Sequence, residues 1–241
     1  MLNNAQNHLE IIRHSLSHVL SIAMMELYDD VKLGIGPAIE DGFYYDFGLS
    51  VTLKDENLTQ IEEKMHEIIN GLKSISFKTL SFEDAKNLFN NQPYKQELID
   101  DLQENKKADN ATIYWFDNHF DLCAGPHVEN VGELKNAHFK LTSVSGAYWK
   151  GDSDRPMLQR IYGVAFQSEK ELTDYLTKIE EAKNRDHRVL GAKLDLFGFS
   201  NELGLGLPLW HPKGAMVRFL LEKFSQQAHI MNGYSWVYTP H

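Results

Sequence analysis

The chain has 241 residues, 42% of them hydrophobic and 24% charged, with a formal net charge of −10. That is the composition of a soluble globular protein of one or two domains with ample material for a core, and aromatic residues at 11% with only 7 prolines exclude a disordered chain. No run approaches the ~18 consecutive apolar residues of a membrane span. The start, Met1-Leu2-Asn3-Asn4-Ala5-Gln6-Asn7-His8, lacks a charged-then-apolar leader, and the single cysteine, Cys123, has no partner for an internal disulfide. Both features predict a cytoplasmic location and make Cys123 either a site candidate or a small buried hydrophobe.

Charge is uneven along the chain. Residues 1–131 hold 10 Lys and Arg against 22 Asp and Glu, and residues 132–241 hold 14 against 12. A polyanionic partner is expected to prefer the second half, because phosphate binding draws on Lys and Arg. Solvated charged faces explain the same asymmetry without any partner.

Residues 5–28 predict a helix. Leu9, Ile12, Leu16, Leu20, Ala23 and Leu27 form one stripe. At ~100° per residue, His14 and His18 fall on the other side with Ile11, Ile22 and Met25, so the helix should pack on both faces. Val31–Phe47 is extended and turn-rich, and Asp41-Gly42 before Phe43-Tyr44-Tyr45 signals a hairpin. Leu58, Ile61, Met65 and Ile68 predict a helix over 55–70, and Ser81-Phe82-Glu83-Asp84 opens another, which Pro93-Tyr94-Lys95 breaks. Thr112–Phe116, His138–Val144 and Leu158–Phe166 predict strands, with a turn at 123–127. Residues 168–190 predict one charged connector helix. A Gly-rich loop from Gly198 to Pro208 follows, then a helix from Pro212 with Met216, Phe219, Leu220 and Phe224 as its apolar face, ended by Asn232-Gly233. Tyr234–Thr239 predicts a strand so near His241 that the last domain reads as truncated.

Two clusters carry the chemistry. His14-Ser15-Leu16-Ser17-His18 puts two imidazoles one turn apart on a helix, without the Glu of a metalloprotease. Asp121-Leu122-Cys123-Ala124-Gly125-Pro126-His127 places a thiol and a third imidazole in a tight turn. Together they supply four N and S groups, suited either to tetrahedral zinc or to a metal-free site that moves protons. Lys95, read singly, is a solvated lysine; of Tyr44 and Tyr45, one must point inward.

These segments resemble threonyl-tRNA synthetase. The likeness rests on Arg13-His14-Ser15-Leu16-Ser17-His18, on Gly36-Pro37-Ala38-Ile39-Glu40-Asp41-Gly42-Phe43-Tyr44-Tyr45-Asp46 and on Asp121 to His127. It continues through Gly146-Ala147-Tyr148-Trp149-Lys150-Gly151-Asp152-Ser153, Leu158-Gln159-Arg160-Ile161-Tyr162-Gly163, Arg185-Asp186-His187-Arg188 and His211-Pro212-Lys213-Gly214-Ala215. The resemblance implies an α+β protein: a mixed α/β editing domain over 1–168, of the kind shared with alanyl-tRNA synthetase, a linker helix over 169–190, and the start of a class II catalytic domain over 191–241. Gly233–Pro240 resembles motif 1, which in the family builds the homodimer interface. Motifs 2 and 3, the Mg-ATP site, the threonine-selecting zinc ligands and the anticodon-binding domain fall outside this chain, so it is not expected to aminoacylate by itself. Ala124 stands where the family commonly has Arg, and Ser-Leu-Ser separates the histidines where the family has a small-residue pattern.

The implied activity is hydrolysis of serine mischarged onto tRNA(Thr). Serine lacks one methyl of threonine, and a pocket discriminates such a group by only ~1–3 kcal/mol, so a second site must remove the wrong product. By resemblance, Lys95 and His14 activate or orient the water, and His127 and Cys123 bind the substrate and the terminal ribose. Asp121 holds the seryl amino group, and His18, Tyr45 and Gly36 shape the pocket. The tRNA is expected to touch Lys140, Lys150, Arg155, Arg160, Arg185 and Arg188. No cofactor is expected for editing. Zinc on His14, His18, Cys123 and His127, as in alanyl editing domains, is the alternative. Rival readings are a freestanding trans-editing deacylase and a non-catalytic tRNA-binding or dimerisation module.

Overall fold

The computed structural model describes residues 2–104, 109–204 and 206–239, with only the backbone for 2–7. Met1, Leu205, Pro240 and His241, which enter the leader, loop and motif 1 readings, lie outside the described residues. The chain divides into two units, Met1–Thr173 and Asp174–His241, and the elements mix helices with antiparallel sheets, an α+β arrangement.

In the first unit the elements run α1 (Leu2–Leu27), β1 (Lys32–Leu33), β2 (Ala38–Ile39), β3 (Gly42–Gly48), α2 (Leu58–Gly71), β4 (Ile75–Leu80), α3 (Phe82–Leu88), α4 (Pro93–Glu104), β5 (Ala111–Phe116), β6 (His119–Leu122), α5 (Gly132–Lys135), β7 (His138–Tyr148) and β8 (Met157–Phe166). α6 (Glu169–Asn184) follows. One sheet has the order β1-β3-β8-β7, with β2 also on β3; a second has the order β4-β5-β6.

α1 packs as its double-sided pattern predicts. Leu16, Leu20 and Ala23 are buried, and so are Val19, Ile22 and Met24 around the rest of the helix. They join Phe43, Tyr45 and Phe47 of β3 and Ile61 and Met65 of α2 in the main core. Arg13 pins the helix to the sheet: its Nε and Nη2 donate to the Ala165 carbonyl at 3.0 and 2.8 Å. Each of these bonds satisfies a charged group in a buried setting, where an unpaired one would be costly. A smaller core, Ala85, Phe89, Ile99, Ala111 and Ile113, joins α3 and α4 to the second sheet.

Three sequence readings are corrected. Pro93 opens a helix rather than ending one, since proline lacks the N–H that the first turn leaves unused; Lys95 therefore sits in the first turn of α4. The connector is two helices, α6 and α7 (His187–Lys193). Asp186 interrupts them because its side chain accepts the Arg188 N–H and caps the second. Tyr234–Thr239 forms no strand: a β-segment exists only with a partner ladder, and none of the described residues supplies one. The second unit also holds β9 (Phe197–Gly198), paired with β10 (Leu209–Trp210), and α8 (Pro212–Met231). α8 begins at Pro212 and ends at Asn232 as expected, and Met216, Phe219, Leu220 and Phe224 on it are exposed.

Candidate functional site

α1, the β6–α5 turn, β3 and α4 bring the predicted residues together. His14 and His18 have ring centroids 5.2 Å apart, and His127 lies 4.4 Å from the first and 4.6 Å from the second. Cys123 is at the centre. Its Sγ is 3.2 Å from His14 Nε2 and 3.3 Å from His127 Nε2, and the Gly125 N–H donates to it at 3.3 Å. Below them, Asp121 is a hub. Its Oδ1 takes Lys95 Nζ at 2.6 Å and the Leu122 N–H at 2.8 Å; its Oδ2 takes the Tyr45 hydroxyl at 2.5 Å. His18 Nδ1 lies 2.9 Å from the same Oδ2, off the line of a straight hydrogen bond.

The electrostatics follow from this packing. Burial opposes ionisation of the Cys123 thiol, but hydrogen bonds from His127, His14 and His18 and the His18 charge outweigh it and lower its pKa to about 3. Burial likewise opposes a charge on His18, yet Asp121 and Cys123 raise it to about 9. His127 is lowered to about 4, by burial first and then by the charges of His18 and His14. Despite burial, Lys95 and His18 hold the Asp121 carboxyl well below the usual range. Burial first, then Asp121, pushes the Tyr45 hydroxyl well above its ordinary value. At neutral pH the site thus holds a thiolate, a carboxylate, an imidazolium and a buried lysine, charges that offset one another, with His127 neutral.

Access is uneven. His14 lines an open cavity of about 260 Å³ with Glu10, Ile11, Pro37, Ala38, Gly125 and Pro126. Cys123 and Ala124 line a second, more apolar one of about 300 Å³ with Leu98, Leu102 and Thr112. Lys95 and Asp121, each 2% exposed, reach neither. The lone pairs of Asp121 are taken by internal partners, so a seryl ammonium would have to displace one of them. Gly36 accepts the Ser17 hydroxyl at 2.5 Å, and a Cβ on it would stand 2.1 Å from the Tyr45 ring.

The six cations assigned to tRNA are all paired. Lys140 meets Glu62 at 2.7 Å, Lys150 meets Glu97 at 2.6 Å, and Arg155 grips the same Glu97 at 2.9 and 2.6 Å. Arg160 holds Asp46 at 2.6 and 2.8 Å and covers the Tyr44 ring at 3.8 Å. Arg185 meets Glu181 at 2.9 Å, and Arg188 meets Asp186 at 2.8 Å. A phosphate would have to replace these carboxylates.

Sequence reasoning missed Ser15 and Tyr114. Ser15 Oγ lies 3.1 Å from His127 Nδ1 and accepts the Val128 N–H at 3.1 Å, joining the two clusters. Ser15 Oγ also donates to the Ile11 carbonyl one turn back at 2.9 Å, which fixes it on α1 beside His127. Tyr114 packs edge-on against His127 at 4.3 Å. Its place in an aromatic strand was legible, but its contact was not.

The four N and S donors lie within 4.8 Å of one another and could hold a metal. The set fits zinc in type, and a carboxylate behind an imidazole, as Asp121 stands behind His18, is the usual support for such a ligand. Among the described residues, no helix is long and apolar enough to cross a membrane.

Residues 111–162, from β5 into β8, match the family described as the threonyl and alanyl tRNA synthetase second additional domain. The chain is 47% identical over 233 residues to a threonine–tRNA ligase of Dehalococcoides mccartyi, covering 97% of this chain and 39% of that protein. It is 50% identical over 234 residues to the enzyme of Citrifermentans bemidjiense, with 96% and 36% covered, and 46% identical over 231 residues to that of Borreliella burgdorferi, with 95% and 39% covered. The chain therefore spans less than two-fifths of the length of these relatives. Over nearly its own whole length, from α1 with its two histidines to α8, the chain is similar to threonine–tRNA ligases, and residues 111–162 match the second additional domain of threonyl and alanyl tRNA synthetases.

Proposed function

We propose that this chain is the editing part of a threonine–tRNA ligase and hydrolyses the ester of serine mischarged onto tRNA(Thr). The observation that carries the reading is the Cys123 thiolate held between His14 and His127 at 3.2 and 3.3 Å, beside a cavity that His14 lines. Ester hydrolysis needs a placed water, a proton acceptor and a donor to the departing ribose oxygen. Imidazole, which titrates nearest to neutral pH, suits both transfers.

In this reading His14, the ring that faces the cavity, exchanges protons with the water through Nδ1, where the water takes the place of the Pro126 carbonyl at 3.2 Å. His127 and Cys123 contact the ester and the terminal ribose from the turn. His18 and Tyr45 form the wall that admits serine and excludes the extra methyl of threonine, with Gly36 keeping Tyr45 in place. Lys95 and Asp121 act from beneath: Lys95 neutralises Asp121, Asp121 keeps His18 protonated, and His18 in turn favours the ionised Cys123. The water-activating role implied for Lys95 becomes an electrostatic one, because the side chain is buried on Asp121. The amino-group role implied for Asp121 becomes one of positioning, for the same reason. Were zinc bound, His14, His18, Cys123 and His127 would hold it, and it would supply an acidified water and polarise the carbonyl.

The test is deacylation by the 241-residue chain of tRNA(Thr) charged with serine or with threonine. The expected result is hydrolysis of the seryl ester alone; equal rates, or none, would overturn the reading.

A further inference from the structure

One row of side chains leads out of the site. The register of the second sheet sets Asp121 of β6 opposite Tyr114 of β5, and Tyr114 opposite Phe77 of β4. Residues opposite one another in neighbouring strands share a sheet face at ~4.8 Å per strand. The row therefore climbs from a carboxylate that is 2% exposed, through a half-buried tyrosine, to a phenylalanine that is 62% exposed. Ring contacts make it continuous: Phe77 lies 5.3 Å from Tyr114, and Tyr114 lies 4.3 Å from His127. Gly125 permits the approach, since a Cβ there would stand 2.3 Å from the Tyr114 hydroxyl.

Phe77 is the most exposed large hydrophobic side chain among the described residues of the first unit. On an edge strand such a residue is a liability that proteins ordinarily remove. The two ring steps of 5.3 and 4.3 Å put it within roughly 10 Å of His127, which suits the reach from an ester carbonyl across a ribose to its base. The part of the chain that holds the site is poor in cations: residues 1–131 hold 10 Lys and Arg against 22 Asp and Glu. An acceptor end held here therefore depends on contacts that need no cations, and base stacking on an aromatic ring is such a contact.

We propose that Phe77, backed by Tyr114, is a stacking platform for the base of the 3′-terminal nucleotide whose ester lies at Cys123, His14 and His127. The proposal rests on the editing reading above and adds the residue that holds the base. Phe77 is a binding residue; it touches no reacting atom.

Two measurements on the 241-residue chain test it. In the first, an acceptor-stem hairpin carries 2-aminopurine at its 3′-terminal position. The wild type is expected to quench its fluorescence on binding, Phe77→Ala to lose the quench, and Phe77→Trp to keep it. In the second, Phe77→Ala is expected to raise KM for seryl-tRNA about tenfold or more with kcat unchanged, and Phe77→Trp to restore it. A purely structural role would lower thermal stability in Phe77→Ala without this split. No quench by the wild type, an unchanged KM, or a fall in kcat instead would overturn the platform. So would a change in self-association on Phe77→Ala with the quench intact, which would make this face a protein contact. A quench without any deacylation would sink the editing activity and leave the base contact standing.

Discussion

Lys95 Nζ lies 2.6 Å from Asp121 Oδ1, with the two side chains 2% and 3% exposed. A lysine from a helix and a carboxylate from a strand thus neutralise each other beneath a cysteine and three histidines. Removing one partner of a buried pair leaves the other charge without compensation, at about 3–5 kcal/mol, while removing both costs far less. Lys95→Met and Asp121→Asn are each expected to destabilise by that amount, and the double variant by clearly less than the sum. Urea denaturation of the four proteins measures the coupling; additive losses would mean that the pair does not act as a unit.

The Cys123 thiol, lowered to about 3, predicts a reactivity profile. A lowered pKa keeps the thiolate present at every pH above that value. Alkylation of the folded chain by iodoacetamide should be nearly flat from pH 8 down to about pH 5, whereas an ordinary thiol slows about tenfold for each unit below its pKa. Cys123 is the only cysteine, so the denatured chain is its own control. A profile that falls in parallel with the denatured chain would remove the thiolate from the site.

Metal removal separates the two uses of the same four donors. After exhaustive chelation the chain is expected to keep its deacylation rate. A lost activity that zinc restores would assign His14, His18, Cys123 and His127 to a metal instead.

At Gly36, an added methyl would meet the Tyr45 ring at 2.1 and 2.6 Å, and that ring is fully buried against Phe47. Gly36→Ala should therefore push Tyr45 off Asp121 and cost about 1–3 kcal/mol, with a larger loss of deacylation than of stability. An active, fully stable variant would show that the wall can shift without consequence.

Glu97 ties α4 to the segment before β8. Against the opposing effect of burial, Lys150, Arg155 and Trp149 lower its carboxyl to about 2. Its contribution to stability is present above the ordinary carboxylate pKa and is lost as pH falls through about 4.5 toward 2. Glu97→Gln should flatten that acid limb and cost about 1 kcal/mol at neutral pH, because the clamp is partly solvated. Thermal melts from pH 7 to pH 3 would show it; identical acid limbs in the two proteins would refute the clamp.

The sequence alone determined much of the local structure. The stripe on α1, the Ser81 cap, the Asp41-Gly42 hairpin and the Pro212 start all follow from spacing and backbone chemistry acting over a few residues. So does the pairing of His14 with His18 one turn apart. β4 was missed although Ile75, Phe77 and Thr79 alternate with Ser76 and Lys78, because its exposed face carries few of the apolar residues by which a strand is ordinarily recognised. Pro93 was read the wrong way round, since proline both ends and begins helices and only the following turns distinguish the two.

What tertiary structure alone decided is which charges meet. Lys95 looks like any surface lysine until α4 carries it onto Asp121, and six cations that suit a phosphate each turn out to hold a carboxylate. Titration, exposure and pairing depend on distances of 3–5 Å between residues tens of positions apart, and no one-dimensional pattern encodes them. Only the contacts of α1 with Asp121 and with the turn after β6 make two short motifs a shared thiolate centre, with an aromatic row leading out to Phe77.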